Sequence, residues 1–424
     1  MMGVDRYPAY TKHNRITFAE LPAHWAVVRG RHVVRIQTGS GDTINAVPGG
    51  KYPFYVRSDE PLRSDEWEFD TTAVLTAGDG AGVAKVFHLV SGRFMAHQRV
   101  YVLDEFERVS PKFFYYAFSS MFWRMALDGS ARSTVDSVRR PMIADMPFPV
   151  PPAEEQSAIV YFLDRETARI DTLIAEQRRL VEGLLERRQA VISQCVFGLG
   201  VSETEGVSQR QLRTIGRHEA VEPLMERCPA DWEIVRFKVA VQRLDVRNAD
   251  LSLPMMSLTS SGHLVPRTSG RQEPDKKNLP RYLAVRPGDL VVNPMWLIGG
   301  AVGVSEVDGA VSPDYRVFRS RGVHSPRYLH HLLRSRPYID QYLLYTRAHT
   351  TFDRRVQQND LDNLPLPVPP IEIQENIASQ IDQQISRIDV LIAESERFIE
   401  LAQERRAALI NATVTGQIDV REVA

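Results

Sequence analysis

The sequence predicts a mixed α+β protein in which two globular bodies alternate with two long helices. Three observations predict this class. The 424-residue chain repeats itself internally. Long segments with apolar residues at 3-4 spacing follow proline-rich hinges. Short β-type segments separated by turns fill the regions before those hinges. This length, with 43% hydrophobic residues, suffices for two or three domains with separate cores.

The clearest repeat begins at the hinges. The segment 147–152, Pro-Phe-Pro-Val-Pro-Pro, recurs as Pro-Leu-Pro-Val-Pro-Pro at 365–370. The match runs without a gap to Gly198 and Gly416, and about half of the positions are identical. Helix propensity alone would give far fewer identities. The second half is therefore interpreted as a duplicate of the first.

A fainter repeat lies upstream of each hinge. Pro-x-x-Trp occurs at 22–25 and 229–232, followed by Val-Arg at 28–29 and 235–236, and Ser-Pro occurs at 110–111 and 325–326. The bodies between these landmarks have diverged almost completely. Similar flanks with dissimilar middles indicate a shared scaffold with separate binding tasks. The predicted order is a first body at 1–150, a long helix at 151–198, a linker at 199–228, a second body at 229–368, a second long helix at 369–416 and a tail at 417–424.

Each long helix has a recognisable start and end. Pro152 and Pro370 suit the first helical turn, and Gly198 and Gly416 suit the end. A helix of about 40 residues spans about 60 Å, which is too long to bury against one small domain. The two helices are predicted to pack as an antiparallel coiled coil, with an ordinary core helix pair as the alternative. The residues predicted to pack helix against helix are Ile159, Leu163, Ile170, Leu173, Leu180, Leu184, Val191, Ile377, Ile381, Ile388, Leu391, Phe398 and Leu409.

The bodies themselves are predicted to mix strands and helices. Helices are predicted at 112–128 and 326–344, after the two Ser-Pro pairs. Strands are predicted at 27–28, 33–36, 73–76 and 99–103 in the first body, and at 290–293, 301–305 and 316–319 in the second.

Composition restricts the setting more than the function. Lys plus Arg number 52 and Asp plus Glu 53, with a pI near 6.9, so overall charge neither indicates nor excludes nucleic acid. The two cysteines, Cys195 and Cys228, have no disulfide or zinc-site spacing. The N-terminal residues resemble no signal peptide, and no apolar run reaches membrane-span length. A cytoplasmic protein without membrane contact is expected.

Two motifs invite a catalytic interpretation. Gly-Asp-Gly-Ala-Gly at 78–82 could be a nucleotide loop, but a strand-like segment follows it, which favours a tight turn that could approach DNA closely. Asn-Pro-Met-Trp at 293–296 resembles the Asn-Pro-Pro-aromatic motif of amino-methyltransferases, but its second proline and a glycine-rich cofactor unit are missing. His330 and His331 are adjacent and share no helix face. The charged segment 274–277 is interpreted as a solvated loop. No catalytic residue and no metal ligand is predicted.

Basic, hydroxyl and aromatic residues in the bodies are the candidates for DNA contact, because such side chains hold phosphates and read base edges. In the first body they are Lys51, Arg57, Arg63, Lys85, Arg93, His97, Arg132, Ser133, Arg139 and Arg140. In the second they are Thr259, Ser260, His263, Arg267, Arg271, Lys276, Lys277, Trp296, Arg316, Arg347, His349, Thr350, Arg354 and Arg355.

In the order of these segments the chain resembles the specificity subunits of type I restriction-modification systems, over nearly its whole length. The resemblance depends on the Pro-x-x-Trp starts, the hinge Leu-Pro-Leu-Pro-Val-Pro-Pro at 364–370, Gln-x-x-Ile at 156–159 and 374–377, Arg-Ile-Asp-x-Leu-Ile at 169–174 and 387–392, and Glu-Arg-Arg at 186–188 and 404–406. The first hinge, which starts Met-Pro-Phe-Pro at 146, departs slightly.

The resemblance implies a non-catalytic subunit with two target-recognition domains, each reading one half of a split double-stranded DNA target. The paired helices would act as a ruler and as docking sites for two modification subunits, and restriction subunits would join them. No cofactor is expected on this chain. S-adenosylmethionine is expected on the modification subunit, and ATP and magnesium on the restriction subunit. Because the two bodies differ, an asymmetric, bipartite target is predicted.

Three other interpretations stay open from the sequence. One is a stand-alone DNA methyltransferase or nuclease. Another is a structural coiled-coil adaptor, against which the two unlike bodies argue. The third is a regulatory or anti-restriction protein with the same fold.

Overall fold

A computed structural model of the chain describes residues 6–126, 137–198, 212–214, 227–229, 231–248, 252–259, 261–267, 276–346 and 354–421. The fold divides into two units. Unit 1 comprises Met1–Arg178 with Glu396–Ala424, and unit 2 comprises Arg179–Ser395. Each unit therefore contains one body, the beginning of one long helix and the end of the other.

A six-stranded sheet dominates unit 1, in the order β4-β9-β7-β8-β5-β6, and only the β5–β8 pair is parallel. Two small antiparallel pairs, β1–β2 and β3–β10, complete the strands. The strands are β1 (Tyr10–Lys12), β2 (Glu20–Pro22), β3 (Ala26–Arg29), β4 (Arg35–Thr38), β5 (Tyr52–Tyr55), β6 (Leu62–Ser64), β7 (Phe69–Ala77), β8 (Phe87–Ala96), β9 (Val100–Asp104) and β10 (Pro147–Val150).

Helix α1 (Pro111–Ala126) packs aromatic side chains into the unit 1 core. Phe118 lies between Phe114 and Phe122, with ring centroids 5.3 and 4.6 Å away, because residues four apart share a helix face. The short helix α2 (Arg140–Ala144) follows. The long helix α3 (Ala153–Val196) then begins inside the same core, where Ile159 is fully buried.

Unit 2 has smaller sheets. The largest has four strands in the order β14-β21-β18-β19. The other described strands of this unit form two-stranded antiparallel sheets, namely β11–β12, β13–β22, β15–β16 and β17–β20. The strands are β11 (Leu212–Thr214), β12 (Arg227–Pro229), β13 (Glu233–Arg236), β14 (Val241–Leu244), β15 (Met256–Leu258), β16 (Leu264–Pro266), β17 (Leu283–Val285), β18 (Leu290–Val292), β19 (Val302–Val304), β20 (Gly309–Val311), β21 (Arg316–Ser320) and β22 (Pro365–Val368).

One predicted helix of the second body is broken in two. The segment 326–344 forms α5 (Pro326–Leu333) and α6 (Arg336–Tyr345) instead of one helix. Pro337 at the start of α6 explains the break, because its ring cannot follow a helical turn without a clash. The helices of unit 2 are α4 (Phe237–Ala240), α5, α6, α7 (Gln358–Asp362) and α8 (Ile371–Val414).

The two long helices run antiparallel in unit 1. Helix α3 leaves the core after Leu163, and its Asp171 meets Arg406 of α8, with Oδ1 and Nε 2.9 Å apart. Helix α8 then returns to the same core, where Val414 is fully buried.

Unit 2 repeats this ion pair with the partners exchanged. Arg188 of α3 meets Asp389 of α8, with Nε and Oδ1 3.1 Å apart. Each residue lies 218 positions from its counterpart in the other pair. The duplication is therefore visible as the same contact made once in each unit.

A buried glutamine fixes the start of each long helix in the same way. Gln156 accepts from Ser110 N at 2.8 Å and donates to Pro151 O at 2.9 Å. Gln374 accepts from Ser325 N at 2.9 Å and donates to a hinge carbonyl at 2.7 Å. This explains the repeated Gln-x-x-Ile and Ser-Pro landmarks, because the glutamine joins the hinge to the loop before the preceding helix.

The glycines at the helix ends meet the Pro-x-x-Trp segments. Gly198 has φ +71, and a Cβ added there would lie 2.9 Å from the ring of Trp232. Gly416 has φ +64, and its Cβ would lie 2.4 Å from Pro22. Both positions need glycine for the left-handed backbone and for the close approach.

Unit 1 has an additional polar contact that joins its N-terminal strand region to α3. Glu155 accepts hydrogen bonds from Trp25 Nε1 at 2.8 Å and Tyr7 OH at 3.2 Å, and lies 2.6 Å from His24 Nε2. In unit 2 the position of Glu155 is Ile373, and Trp232 Nε1 has no hydrogen-bond partner among the described residues. The tail also belongs to unit 1, where Val420 is buried in the core.

Four residues predicted to pack between the helices are more exposed than a buried seam would be. Leu173, Leu180, Leu391 and Phe398 are 40–48% exposed. At one of these positions the buried side chain belongs to the next residue, since Ile174 is buried where Leu173 is not. An α-helix has 3.6 residues per turn, whereas the 3-4 spacing repeats every 3.5 residues. Residues selected by that spacing therefore lie partly at the interface between the helices and partly beside it.

The other predicted packing residues are buried or half-buried. Those near the start of each helix lie in the core of their own unit, with Ile159 and Leu163 in unit 1 and Ile377 and Ile381 in unit 2. The remaining ones are Ile170, Leu184, Val191, Ile388 and Leu409. Within the described ranges, no helix has the length and apolarity that a membrane crossing needs.

Candidate nucleic-acid interface

Two arginines and one aspartate meet at the glycine turn of unit 1. This segment, residues 78–82, begins the connection between the antiparallel strands β7 and β8, which runs from 78 to 86 and includes a 3-10 helix at Gly80–Gly82 where a tight turn was predicted. Arg57 Nη1 lies 2.8 Å from Asp79 Oδ1, and Arg99 Nη1 forms an ion pair with Oδ2 of the same carboxylate. These three residues are called the arginine pair and its aspartate. Both guanidiniums bind the Asp79 carboxylate and are partly exposed to solvent.

The surroundings of Asp79 explain its charge. Its burial alone would raise the pKa, but hydrogen bonds from Arg99 and Arg57 outweigh burial and lower the pKa below the ordinary aspartate value. The carboxylate is therefore ionised at neutral pH. His97, a predicted contact residue, is buried beside this group, and its Nδ1 accepts from Arg99 N at 3.1 Å.

Other predicted residues of unit 1 lie on the same sheet. Arg93 stacks on Trp67, with its guanidinium carbon 4.7 Å from the ring centroid, and its Nε donates to Asp70 at 3.0 Å. Arg63 donates to the backbone oxygens of Gly50 and Lys51 at 2.9 Å, which fixes the β5–β6 hairpin. Arg63 thus has a structural task.

The remaining candidates of unit 1 are separate. Lys85 is exposed after the glycine turn, and Arg139 and Arg140 are exposed at the start of α2. Arg132 and Ser133 lie outside the described residues.

Unit 2 gathers three arginines instead. Burial lowers the pKa of Arg316, and repulsion from Arg243 and Arg355 lowers it further, while attraction to Asp362 partly opposes them. The Nη1 of Arg316 is buried without a hydrogen-bond partner among the described residues. A half-buried cation with like-charged neighbours and an unpartnered N–H group favours an anion, and a DNA phosphate would supply one.

A predicted aromatic residue lies on the adjoining loop of unit 2. Trp296 is 55% exposed, and Val356, which follows Arg355, donates to Pro294 O at 3.0 Å. Asn293 Oδ1 accepts from Met295 N at 3.1 Å, so this asparagine holds its own turn. Trp296 is thus a surface residue on a segment that is hydrogen-bonded to the residue after Arg355.

A second group of unit 2 candidates lies on the β15–β16 hairpin. Thr259 Oγ1 accepts from His263 N at 3.0 Å, which shapes the hairpin loop, and Arg334 of the α5–α6 corner donates to Ser261 O. Arg267 follows β16, and Arg354 precedes Arg355. Lys276 and Lys277 begin a 3-10 helix at Lys276–Arg281. The predicted residues outside the described part of the chain are Ser260, Arg271, Arg347, His349 and Thr350.

Sequence reasoning missed three of these residues. Asp79 was visible only as part of a glycine turn, and Arg99 only as the start of a strand. They meet because β9 pairs with β7 in a register that places Val100 opposite Ala77. Arg243 joins Arg316 through the β14–β21 pairing, which no local pattern specifies.

The outer surfaces of the long helices carry a repeated group. Arg169, Leu173 and Glu176 of α3 are exposed, and their spacing places them on one face. The matching residues of α8, Arg387, Leu391 and Glu394, are identical and also exposed. These six residues are called the repeated stripe. Within the described ranges, no group of three or more His, Cys, Asp or Glu side chains is arranged to hold a metal ion.

Comparison with known proteins gives consistent relatives. The family model described as "Type I restriction modification DNA specificity domain" matches residues 22–182. The chain is similar to the "Type I restriction enzyme EcoDI specificity subunit" of Escherichia coli, at 22% identity over 88% of this chain and 84% of that protein. It is also similar to the "Putative type I restriction enzyme MjaX specificity subunit" of Methanocaldococcus jannaschii, at 23% identity over 67% and 62%.

A solved structure shares the fold. The similarity extends over 94% of this chain and 99% of that one, with a TM-score of 0.60 and 17% identity. That structure comes from work on complex assembly and conformational transition of the type I R-M system.

Proposed function

We propose that this chain, which belongs to the specificity subunits of type I restriction-modification systems, recognises an asymmetric two-part DNA target. DNA sequence recognition is the task of this family. The two-part target is our inference from the two units. Unit 1 reads one half of the target and unit 2 reads the other.

One observation carries this proposal: the two units share their scaffold but differ in their basic groups. The buried glutamines, the interhelical ion pairs and the terminal glycines occur once in each unit. In contrast, unit 1 presents two arginines on a carboxylate, and unit 2 presents Arg316 in the field of Arg243 and Arg355. Unlike basic groups on like scaffolds support two different half-sites.

The repeated stripe supports a second part of the proposal, that two copies of a modification subunit dock on the long helices. Exposed residues contribute little to folding, so their identity in the two repeats favours a shared binding task. A stripe with a leucine between an arginine and a glutamate offers an apolar anchor with a polar rim. Two equal stripes fit two equal partners.

The chemistry is assigned to those partners. We place S-adenosylmethionine and the transferred methyl group on the modification subunits, and ATP and magnesium on restriction subunits. The role of this chain is to hold double-stranded DNA in a fixed register. A methyl-transfer assay with the purified chain alone should give only background incorporation, and incorporation above background would contradict this assignment.

Deletion of the gene, followed by methylome sequencing of the host, tests the recognition role. Loss of methyl-adenine at one bipartite, asymmetric motif is the expected result, and re-expression of the chain should restore it. An unchanged methylome would contradict the proposal.

Substitutions in the repeated stripe test docking. Leu173→Asp combined with Leu391→Asp should abolish co-purification of the modification subunit, because each introduces a charge at an apolar anchor. Leu185→Asp is the matched control. Leu185 is 52% exposed but is matched by Gln403, so the repeats do not share it. Equal loss in the control, or none in the double variant, would contradict docking at the stripe.

A further inference from the structure

The arginine pair and its aspartate bring together three parts of unit 1 that are distant in sequence. Arg57 follows β5, Asp79 lies in the glycine turn, and Arg99 precedes β9. We propose that Arg57 and Arg99, oriented by Asp79, read neighbouring guanines in the half-site of unit 1. This inference rests on the proposed function and adds the base class that unit 1 selects.

The three side chains differ in exposure in the way that reading a base requires. The Asp79 side chain is 14% exposed, whereas Arg57 is 48% and Arg99 60% exposed. The carboxylate is thus covered, while the two guanidiniums reach solvent. Neutralising the covered carboxylate occupies Nη1 of each guanidinium, and the other nitrogens of both forks are not used for this contact.

The backbone keeps Asp79 in place. Gly78 N donates to Arg99 O at 2.7 Å, and Val138 N donates to Gly78 O at 2.8 Å. The anchor is therefore positioned before any ligand binds. Arginines held on a fixed anchor lose less side-chain freedom when they bind a base.

The geometry of the forks selects the base. Each guanidinium uses Nη1 for Asp79 and has two further nitrogens that carry N–H groups. Guanine presents two adjacent acceptors, N7 and O6, in the major groove, and a planar fork matches both. Adenine presents a donor beside its acceptor, so an arginine fork meets a like group there.

Glycine at position 80 leaves room beside the forks. Gly80 has φ +75, and a Cβ added there would lie 3.5 Å from Arg57 Nη1. A larger side chain at this position would stand next to the guanidinium. The glycine turn thereby keeps one side of the arginine pair clear for DNA.

Unit 1 also contains a comparison group with a structural task. Asp145 forms ion pairs with Arg31 and, at 3.7 Å, with Arg29. In unit 2 the matching residues are Arg236, Lys238 and Asn363. Arg236 Nη1 and Lys238 Nζ donate to Asn363 Oδ1 at 3.4 and 3.2 Å. Since a lysine replaces Arg31 in the repeat, the fork is not needed there. The contacts that the two units share do not include the arginine pair, which fits a task specific to unit 1.

The test uses the full chain assembled with its modification subunits, and a randomised double-stranded DNA library as the probe. Arg57→Lys and Arg99→Lys keep the positive charge but remove the fork. Arg31→Lys is the control, because it makes the same change in the group around Asp145. Bound DNA is sequenced, and the base preference is read at each position of both half-sites.

We expect each fork variant to lose guanine preference by about tenfold or more at one position of one half-site. The other half-site should stay unchanged, which also shows that the complex is folded, and the control should match the wild type. Wild-type preferences in both fork variants, or equal losses in both half-sites, would overturn the inference while leaving the proposed function intact. A wild-type complex that enriches no two-part sequence would overturn both.

Discussion

Single residues at the start of the long helices show how charge and burial are balanced. Asp382 of α8 lies 2.7 Å from His331 Nε2 and forms an ion pair with Arg327. Burial would raise the pKa of Asp382, but the hydrogen bonds from His331 and Arg327 outweigh it and lower the pKa to about 2. The equivalent Asp164 of α3 binds Lys112 and Tyr116 instead, both at 2.7 Å.

Asp382→Asn should therefore destabilise unit 2 in a pH-dependent way. A carboxyl group whose pKa is lower in the folded state stabilises fully above its ordinary value of 3.8, and this stabilisation is lost as the pH falls towards 2. We expect a loss of about 1 kcal/mol at neutral pH, kept small because the side chain is 42% exposed. Urea unfolding at several pH values measures it. A difference between wild type and variant that does not shrink between pH 4 and pH 2 would refute this explanation.

Gly416 offers a second prediction at this scale. Gly416→Ala should destabilise unit 1 by about 2–4 kcal/mol, because alanine is strained at φ +64 and its Cβ would meet Pro22 at 2.4 Å. Gly49→Ala is the control for strain alone, since Gly49 has φ +76 and nothing within 4 Å of the added atom. Thermal unfolding should show the larger loss for Gly416→Ala, and equal losses would mean that contact with Pro22 is unimportant.

Local sequence patterns predicted individual side chains unevenly. Arg57 and Arg316 could be selected as basic residues near strand ends, and the structure places both in charged groups. Asp79 was not selected, because its importance depends on the register that brings Arg99 to it. Residue type is visible in a sequence, whereas the partner across a sheet is not.

At the scale of elements, the two long helices are equal in length and make matching ion pairs, but they differ at some positions inside the helix. Both contain 44 residues. Gly183 of α3 is matched by the exposed Leu401 of α8. A glycine inside a helix costs conformational entropy, and a Cβ added at Gly183 would meet nothing within 4 Å.

Gly183→Ala should thus stabilise α3 by about 0.5–1 kcal/mol. The reciprocal change in α8, Leu401→Gly, should destabilise by a similar or larger amount, because it also removes a side chain. Hydrogen exchange of the amides around each position reports the local effect. Faster exchange in Gly183→Ala would show that the glycine is needed for a bend or a contact.

Elements were more predictable than their connections. The hinges, the long helices and the helix after Ser110 were expected within two residues of their ends. The break between α5 and α6 could have been predicted from Pro337, which cannot lie inside a continuous helix. The sheet order could not, since β5 and β8 pair in parallel while their neighbours are antiparallel. Such pairing depends on the whole body.

At the scale of the whole molecule, the proposed function combines DNA binding by unit 1 with DNA binding by unit 2. Two linked binding units gain affinity because the second binds at a high effective concentration once the first is bound. That gain depends on the linking helices having a length suited to the DNA. The length of α3 and α8 is thus expected to be a determinant of specificity.

Insertion of one heptad into both helices tests this expectation. Seven residues placed between Arg179 and Leu180, and seven between the matching Arg397 and Phe398, lengthen each helix by about 10 Å, which is about three base pairs of DNA. We expect selected targets to keep both half-sites but to change the gap between them. An insertion in α3 alone is the control and should weaken binding, because the helices no longer match. An unchanged gap in the double insertion would refute the ruler.

Unit 1 is built from both ends of the chain, and this has a consequence for biosynthesis. Unit 2 is one continuous segment, whereas unit 1 needs residues 396–424, which the ribosome makes after all of unit 2. The recognition body that is translated first is hence completed last, when Val414 and Val420 enter its core. A premature stop before residue 396 would spare every residue of unit 2 and yet leave unit 1 without part of its core. The order of translation is the reverse of the order in which the two recognition units can mature.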